Sequence, residues 1–341
     1  MRILVMGAGS LGTIVGALLS KDGLDVIMAD ANREHVYALN DKGATITGHL
    51  NLNVPVKAVT PDSLEGVFDL VIYLVKATFD EVALPQALEH MGPESMIITL
   101  QNGVPEEKVA SFIGKERTLG GAVGWGATWI GPGVSELTSD PDDMTYDIGE
   151  LDGKITDRIR KLEEVLNHAG KAIITENLKG IRWTKLLVNV AMSGLSTVLG
   201  CPYGDILDDD KAITAAICIM LETILASKAI GVKMEPMKGV DPVILLDITK
   251  ENMENTKNLL KMIYAPHRDI RASMLQDIEK GLRCEVEALN GYLQKTAREA
   301  GVNVPVNDQV TDLIRQIESG QVEYGFENLN RIEIPDFSIY Y

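Results

Sequence analysis

Cysteine is scarce in this chain, and the three present, Cys201, Cys218 and Cys284, stand far apart with no C-x-x-C pair. That spacing offers no zinc site and predicts reduced thiols in a cytoplasmic protein. Positive charge is also in short supply: 32 Lys and Arg face 49 Asp and Glu, for a net charge of −17. Such a field repels nucleic-acid phosphates and anionic lipid alike, so neither is an expected partner. An anionic ligand must then be met by local cations or helix N-termini. Long apolar runs are missing too. The first apolar stretch has only a strand's length and passes into glycines rather than a cleavage site, so no signal peptide is expected. The most membrane-like segment, 215–232, carries Glu222 and Lys228 and reads as a buried helix. Low-complexity tracts and internal repeats are absent.

What remains is an ordinary globular composition, 45% hydrophobic and 24% charged over 341 residues, which is long for one core and predicts two domains. The start is the most informative part. An apolar strand, Ile3-Leu4-Val5-Met6, runs directly into Gly7-Ala8-Gly9-Ser10-Leu11-Gly12, and Leu11, Val15, Leu18 and Leu19 then recur at helical spacing. In that context Gly7 serves a tight turn, Gly9 the approach of a pyrophosphate, and Gly12 close packing of the helix on the strand, so a dinucleotide cofactor is expected. A second strand, 25–29, ends at Asp30, the position of an acidic ribose ligand. A carboxylate there favours NADH over NADPH. Arg33 nearby is suited to a 2′-phosphate instead, and Asp30 has an alternative role as a helix N-cap.

Strands over 70–75 and 96–100 are apolar throughout, as in a sheet covered on both faces. Beyond their carboxyl ends come Lys76 and Gln101-Asn102-Gly103, on the side where α/β sheets bind ligands. Asn102-Gly103 also fits a plain turn. A glycine-rich β-like region, 118–149, and a strand over 171–175 complete an α/β Rossmann-type domain, 1–176. An all-α domain follows over 177–341, with helices expected at 181–199, 210–231, about 250–264, 273–300 and 307–318. The tail, 323–341, lacks a clear period and either crosses a partner subunit or is loose.

Lys185, Asn189 and Ser193 lie at i, i+4 and i+8, a polar stripe on an otherwise apolar helix. Hydride arriving at a ketone leaves negative charge on oxygen, and a protonated lysine is a donor that strengthens as that charge develops. Glu285 sits in a charge-rich stretch expected to be a solvated helix face. Ser273 with Gln276 forms an S-x-x-Q capping box.

These segments, GAGSLG, Val75-Lys76-Ala77, Gln101-Asn102-Gly103, Gly131-Pro132-Gly133, Trp183-Thr184-Lys185 with Asn189, Ser273-Met274-Leu275-Gln276-Asp277, Arg283-Cys284-Glu285 and Asn290-Gly291, together resemble the ketopantoate reductase (2-dehydropantoate 2-reductase) family over nearly the whole chain. The resemblance implies reduction of a branched 2-oxo acid to a D-2-hydroxy acid by NAD(P)H, in pantothenate and coenzyme A synthesis. It implies Lys185 as catalytic acid, with Glu285 as its carboxylate partner, close to substrate and cofactor. Asn102 would contact substrate and nicotinamide ribose, Asn189 and Ser273 would hold the substrate, and Lys76 would sit near the cofactor. Substrate would bind between the two domains, which close to exclude water, and a homodimer is expected.

Two positions depart from the family. Ser193 and Ile270 stand where asparagines are common, and Arg271 is suited to clamp a carboxylate instead. A related 2-oxo acid is therefore the first alternative substrate. A nucleotide-sensing protein without turnover is the alternative of another class.

Overall fold

The computed structural model describes residues 1–236, 239–247 and 252–340. Residues 250 and 251 of the expected fourth helix, and Tyr341, lie outside the described residues. Two compact units divide at the start of one helix: Met1–Leu178 and Lys179–Tyr341.

The first unit contains β1 (Arg2–Met6), α1 (Ser10–Lys21), β2 (Asp25–Ala29), α2 (Arg33–Lys42), β3 (Ala44–Gly48), β4 (Leu52–Val54), β5 (Ala58–Val59), β6 (Phe68–Tyr73), α3 (Asp80–Glu89), β7 (Met91–Thr99), α4 (Glu106–Ile113), β8 (Thr118–Val123), β9 (Ala127–Gly131), β10 (Val134–Leu137), β11 (Thr145–Glu150), α5 (Asp157–Leu166) and β12 (Lys171–Ile174). Eight strands form one sheet in the order β12-β11-β8-β7-β6-β1-β2-β5, parallel except where β11 runs against β8. Residues alternate across it: Ile3 and Val5 enter the core on one face, Leu4 and Met6 that on the other. Register fixes the ligand side. Met6 pairs with Ala29 and Tyr73, and Tyr73 pairs with Thr99, so β1, β2, β6 and β7 end level with one another. The order reverses at β1, whose neighbours are β2 and β6, which is where such sheets bind nucleotides.

A second sheet, β4-β3-β10-β9, joins β9 and β10 of the expected β-like region, 118–149, to β3 and β4, which the sequence does not predict. Its strands have only three to five residues and are interrupted by turns such as that at Gly133, where φ is +75°.

The second unit is helical: α6 (Leu178–Val188), a π-helical turn (Asn189–Ser193), α7 (Gly194–Leu199), α8 (Tyr203–Asp208), α9 (Asp210–Ala229), α10 (Met253–Tyr264), α11 (Ser273–Glu279), α12 (Asn290–Glu299) and α13 (Pro305–Glu318). The expected single helix over 273–300 is instead two, α11 and α12, with a loop and a short 3-10 turn between them. Helix α9 alone is long and apolar enough to cross a membrane among the described residues, and 78% of its apolar window is buried in the protein. Glu222, wholly buried on it, accepts hydrogen bonds from Val306 N–H (2.9 Å), Asn307 N–H (2.8 Å) and the Tyr340 hydroxyl (2.6 Å). Burial raises its carboxyl from 4.5 to about 7.

The tail is not loose. Gly325 N–H donates to Val198 O (3.1 Å), Lys211 Nζ to Leu329 O (2.8 Å), and Glu333 N–H to Gln309 Oε1 (2.7 Å) before Tyr340 reaches Glu222. Only Asn328, Leu329, Ile332 and Tyr340 bury their side chains there, at irregular spacing that leaves no period to read.

Candidate active site

The glycine loop is shaped by what a side chain would strike. Gly7 has φ +93°, and a Cβ there would stand 2.6 Å from Val75 N. At Gly12 a Cβ would lie 2.0 Å from Gly7 O, so the first turn of α1 closes directly on the loop. Gly9 differs: a Cβ would meet nothing within 4 Å, leaving its backbone open to a ligand. No side chain caps α1. The first-turn N–H groups, at Ser10 and Leu11, thus suit an anionic group. These features fit the pyrophosphate of a dinucleotide.

Asp30 follows β2, and its Oδ1 accepts from Asn32 N–H (2.9 Å). The cap of α2 is Asn32, whose Oδ1 accepts from the N–H groups of Glu34 and His35 (both 3.1 Å), so Asp30 is not the N-cap. Arg33 pairs with Asp62 at 3.5 Å, both exposed.

Lys76 and Asn102 leave the ends of β6 and β7, and a buried network fastens the two ends. Gln101 Nε2 donates to Val75 O and to Asp80 Oδ1 (each 2.8 Å), the Tyr73 hydroxyl donates to the same Asp80 oxygen (2.9 Å), and the Thr99 hydroxyl donates to Gln101 Oε1 (2.9 Å). Burial pushes the Tyr73 hydroxyl far above its ordinary range, so it stays a donor. Gly103, at φ +79°, turns the chain after Asn102. Both the turn and the polar side chain before it are present.

In the second unit, α6 buries Arg182 and Trp183 fully and leaves Lys185 partly exposed. The helix then widens into the π turn, a form concentrated at functional sites. The turn begins at Asn189, whose Nδ2 is buried without a hydrogen-bond partner. Such a donor costs about 1–3 kcal/mol unless a ligand meets it. Side chains support the widened turn: Asn290 Nδ2 donates to Val190 O (2.9 Å) and to Asn307 Oδ1 (2.9 Å), and the Thr197 hydroxyl to Ser193 O (2.7 Å). The extra residue breaks the expected i, i+4, i+8 stripe at its last member. Ser193 is buried, 2.7 Å from the Tyr203 hydroxyl.

Around α11 the expected capping box does not form. Ala272 is the N-cap, Ser273 is exposed, and Gln276 Nε2 donates to Arg271 O (3.1 Å), because the side chain turns back along the chain instead of toward the first N–H groups. The guanidinium of Arg271 is engaged by Glu279. Glu285 is not on a solvated helix face either. It is 6% exposed, in the loop before the 3-10 turn Val286–Ala288. Its neighbours are tied on both sides, with Cys284 N–H donating to Glu318 Oε1 (2.7 Å) and Arg315 gripping Glu287 through two bonds (2.7 and 2.9 Å). Cys284 itself is buried, and burial pushes its thiol up to about 12. Among the described residues no cluster could hold a metal ion.

Sequence reasoning missed His35, Tyr203 and the π turn. His35 could have been found, since with Ala38 and Leu39 it marks the buried face of α2 at helical spacing.

Comparison with known proteins agrees in both units. Residues 3–153 match the family model described as ketopantoate reductase PanE/ApbA, and residues 177–318 match its C-terminal counterpart. The chain is 30% identical to 2-dehydropantoate 2-reductase of Pyrococcus horikoshii over 94% of this chain and 98% of the relative, and 29% identical to that of Archaeoglobus fulgidus with the same coverage. A solved structure of 2-dehydropantoate 2-reductase from Geobacter metallireducens is similar with a TM-score of 0.78 and 27% identity, covering 93% and 99% of the two chains. D-mandelate dehydrogenase with NADH and anilino(oxo)acetate shares the fold with a TM-score of 0.82 and 22% identity, covering 94% and 99%.

Proposed function

Because the chain belongs to the ketopantoate reductase family, we propose that it reduces 2-dehydropantoate to D-pantoate with a nicotinamide dinucleotide. The observation that carries this reading is the unpartnered amide of Asn189, one turn beyond Lys185, in a chain whose first unit carries an open dinucleotide loop.

The dinucleotide would be held by Gly7 to Gly12 and the first turn of α1, with Asp30 at the ribose and Lys76 and Asn102 beyond the neighbouring strands. When bound it supplies a hydride, two electrons and a hydrogen nucleus, to the carbonyl carbon. The carbonyl π pair moves onto oxygen, and Lys185 delivers the proton that completes the alcohol. Lys185 is restored by a proton from solvent. Asn189 donates to the substrate, Glu285 orients Lys185, and Ser273 and Arg271 are placed for the carboxylate end. Arg271 must exchange Glu279 for substrate to serve there.

Asp30 supports NADH over NADPH, since its carboxylate meets a 2′-phosphate with like charge while Arg33 is drawn to Asp62. Three buried, free thiols support a reducing cytoplasm. The exposed Val243, Ile244 and Met262 support a homodimer, which sedimentation checks.

A second reading, reduction of a different branched 2-oxo acid, is favoured by the Ser193–Tyr203 pair, which occupies a hydroxyl that would otherwise face substrate. Oxidation of NADH and of NADPH, followed with 2-dehydropantoate beside smaller branched 2-oxo acids, separates the readings. Preference for 2-dehydropantoate with NADH is expected, and Asp30→Ala should move the preference toward NADPH. Silence on 2-dehydropantoate with turnover of another acid overturns the first reading in favour of the second.

A further inference from the structure

His35 is 1% exposed on α2, and its two ring nitrogens face opposite structures. Nδ1 lies 2.9 Å from the backbone N–H of Gly133 and 3.4 Å from Trp129 Nε1. Both of those groups can only donate, so Nδ1 is the acceptor and Nε2 carries the hydrogen. Nε2 in turn lies 2.6 Å from Ala8 O and 3.2 Å from the Thr13 hydroxyl, which itself donates to Ala8 O at 2.7 Å. The carbonyl between the first two glycines of the loop is thus held by two donors.

That carbonyl belongs to the same peptide unit as the Gly9 N–H. In a planar trans peptide the C=O and N–H point in opposite directions. Holding Ala8 O toward His35 and Thr13 therefore turns the Gly9 N–H away from them, at the one loop glycine with open space around it. The far side of the imidazole rests on the Gly131-Pro132-Gly133 turn through the Gly133 N–H. Gly133 is fixed from below as well, since Thr45 N–H donates to its carbonyl at 2.8 Å.

We propose that His35 is a positioning residue for the dinucleotide: it fixes the Ala8–Gly9 peptide so that the Gly9 N–H meets the pyrophosphate, and it makes the 131–133 turn a rigid support for that loop. The proposal rests on the dinucleotide reading above. It gives the second sheet, whose Ile46, Val54 and Leu137 share an apolar core with α1, a part in holding the cofactor loop.

The test is titration with NADH, read by its own fluorescence, on the unaltered chain and on His35→Leu, His35→Gln and His35→Asn, with steady-state kinetics alongside. His35→Leu leaves Ala8 O and Gly133 N–H short of partners and should weaken NADH binding about tenfold. The KM for NADH should rise likewise, with kcat at saturation and the KM for the oxo acid nearly unchanged. His35→Gln places an amide N–H where Nε2 stood and should restore most of the affinity. His35→Asn reaches only the Nδ1 side and should not. Equal NADH affinity in the Gln and Asn variants overturns the proposal even where His35→Leu fails to fold. Failure of the unaltered chain to bind NADH or NADPH overturns the dinucleotide reading along with it, whereas binding by the unaltered chain with no loss in His35→Leu overturns this proposal alone.

Discussion

The glycine loop and the Lys185 face solve opposite problems. In the first, on the function proposed above, backbone would do the work: Gly7, Gly9 and Gly12 matter for the side chains they lack, and the anion would be met by peptide N–H groups. In the second, on the same proposed reading, side chains would do the work, and the helix carrying them widens into a π turn at Asn189. Backbone sites tolerate almost no added atoms but depend little on their charged neighbours. Side-chain sites tolerate neighbours of many shapes but fail when one functional group is removed. The same contrast explains why one was easy to read in the sequence and the other was not.

Three experiments break or sharpen the contrast. The largest effect belongs to Lys185→Ala, which should lower turnover by roughly 10²–10⁴ while NADH affinity stays unchanged, as measured by stopped-flow reduction beside a binding titration. Near-normal turnover would remove the lysine from the chemistry and with it the side-chain half of the comparison.

Next comes Glu222, which supports the helices behind that face. Its carboxyl titrates at 4.5 when unfolded and at about 7 in the folded chain. Between these values the native state keeps a proton the unfolded state has released, so stability falls as pH rises through the window, by up to about 3 kcal/mol. Below it the contribution is level, and above it the full loss is present. Chemical denaturation from pH 4 to 8 (roughly the span of these values) should show that slope, and Glu222→Gln should flatten it. An unchanged slope in the variant would assign the pH dependence elsewhere.

The smallest effect on turnover at saturating NADH is expected in the backbone site. Gly12→Ala should cost about 1–3 kcal/mol through the contact of the new methyl with Gly7 O, seen as weaker NADH binding with the helical unit's melting unaffected. Normal NADH affinity there would show that the loop yields more readily than its contacts imply.

Much of the first unit could be read because its determinants are local. A strand of four apolar residues followed by three spaced glycines defines its own structure, and the apolar runs 70–75 and 96–100 predict where Lys76 and Asn102 emerge, just beyond the ends of β6 and β7 at Tyr73 and Thr99. What escaped was nonlocal. The capping box at Ser273 has the right letters, yet Gln276 found Arg271 O instead. Glu285 lies among exposed Arg283 and Glu287, and only the flanking Cys284 and Val286, too short a run to set a period, share its burial. The spacing of His35 with Ala38 and Leu39 marks a buried helix face, but its partner Gly133 stands 98 residues on and nothing local names it. The stripe at Lys185, Asn189 and Ser193 was sound for a regular helix and failed only where the helix ceased to be regular.

That irregularity has a consequence for insertions and deletions. A π turn is an α-helix holding one surplus residue, so removing one residue within 189–193 restores ordinary winding and leaves both flanking segments where they were. The same deletion within α6 turns every following side chain about 100° around the axis (one residue of an ideal helix) and drives buried Leu195 and Val198 out of their places. A single-codon deletion scan should therefore find a narrow island of folded but inactive proteins at this turn, bordered on the α6 side by deletions that do not fold.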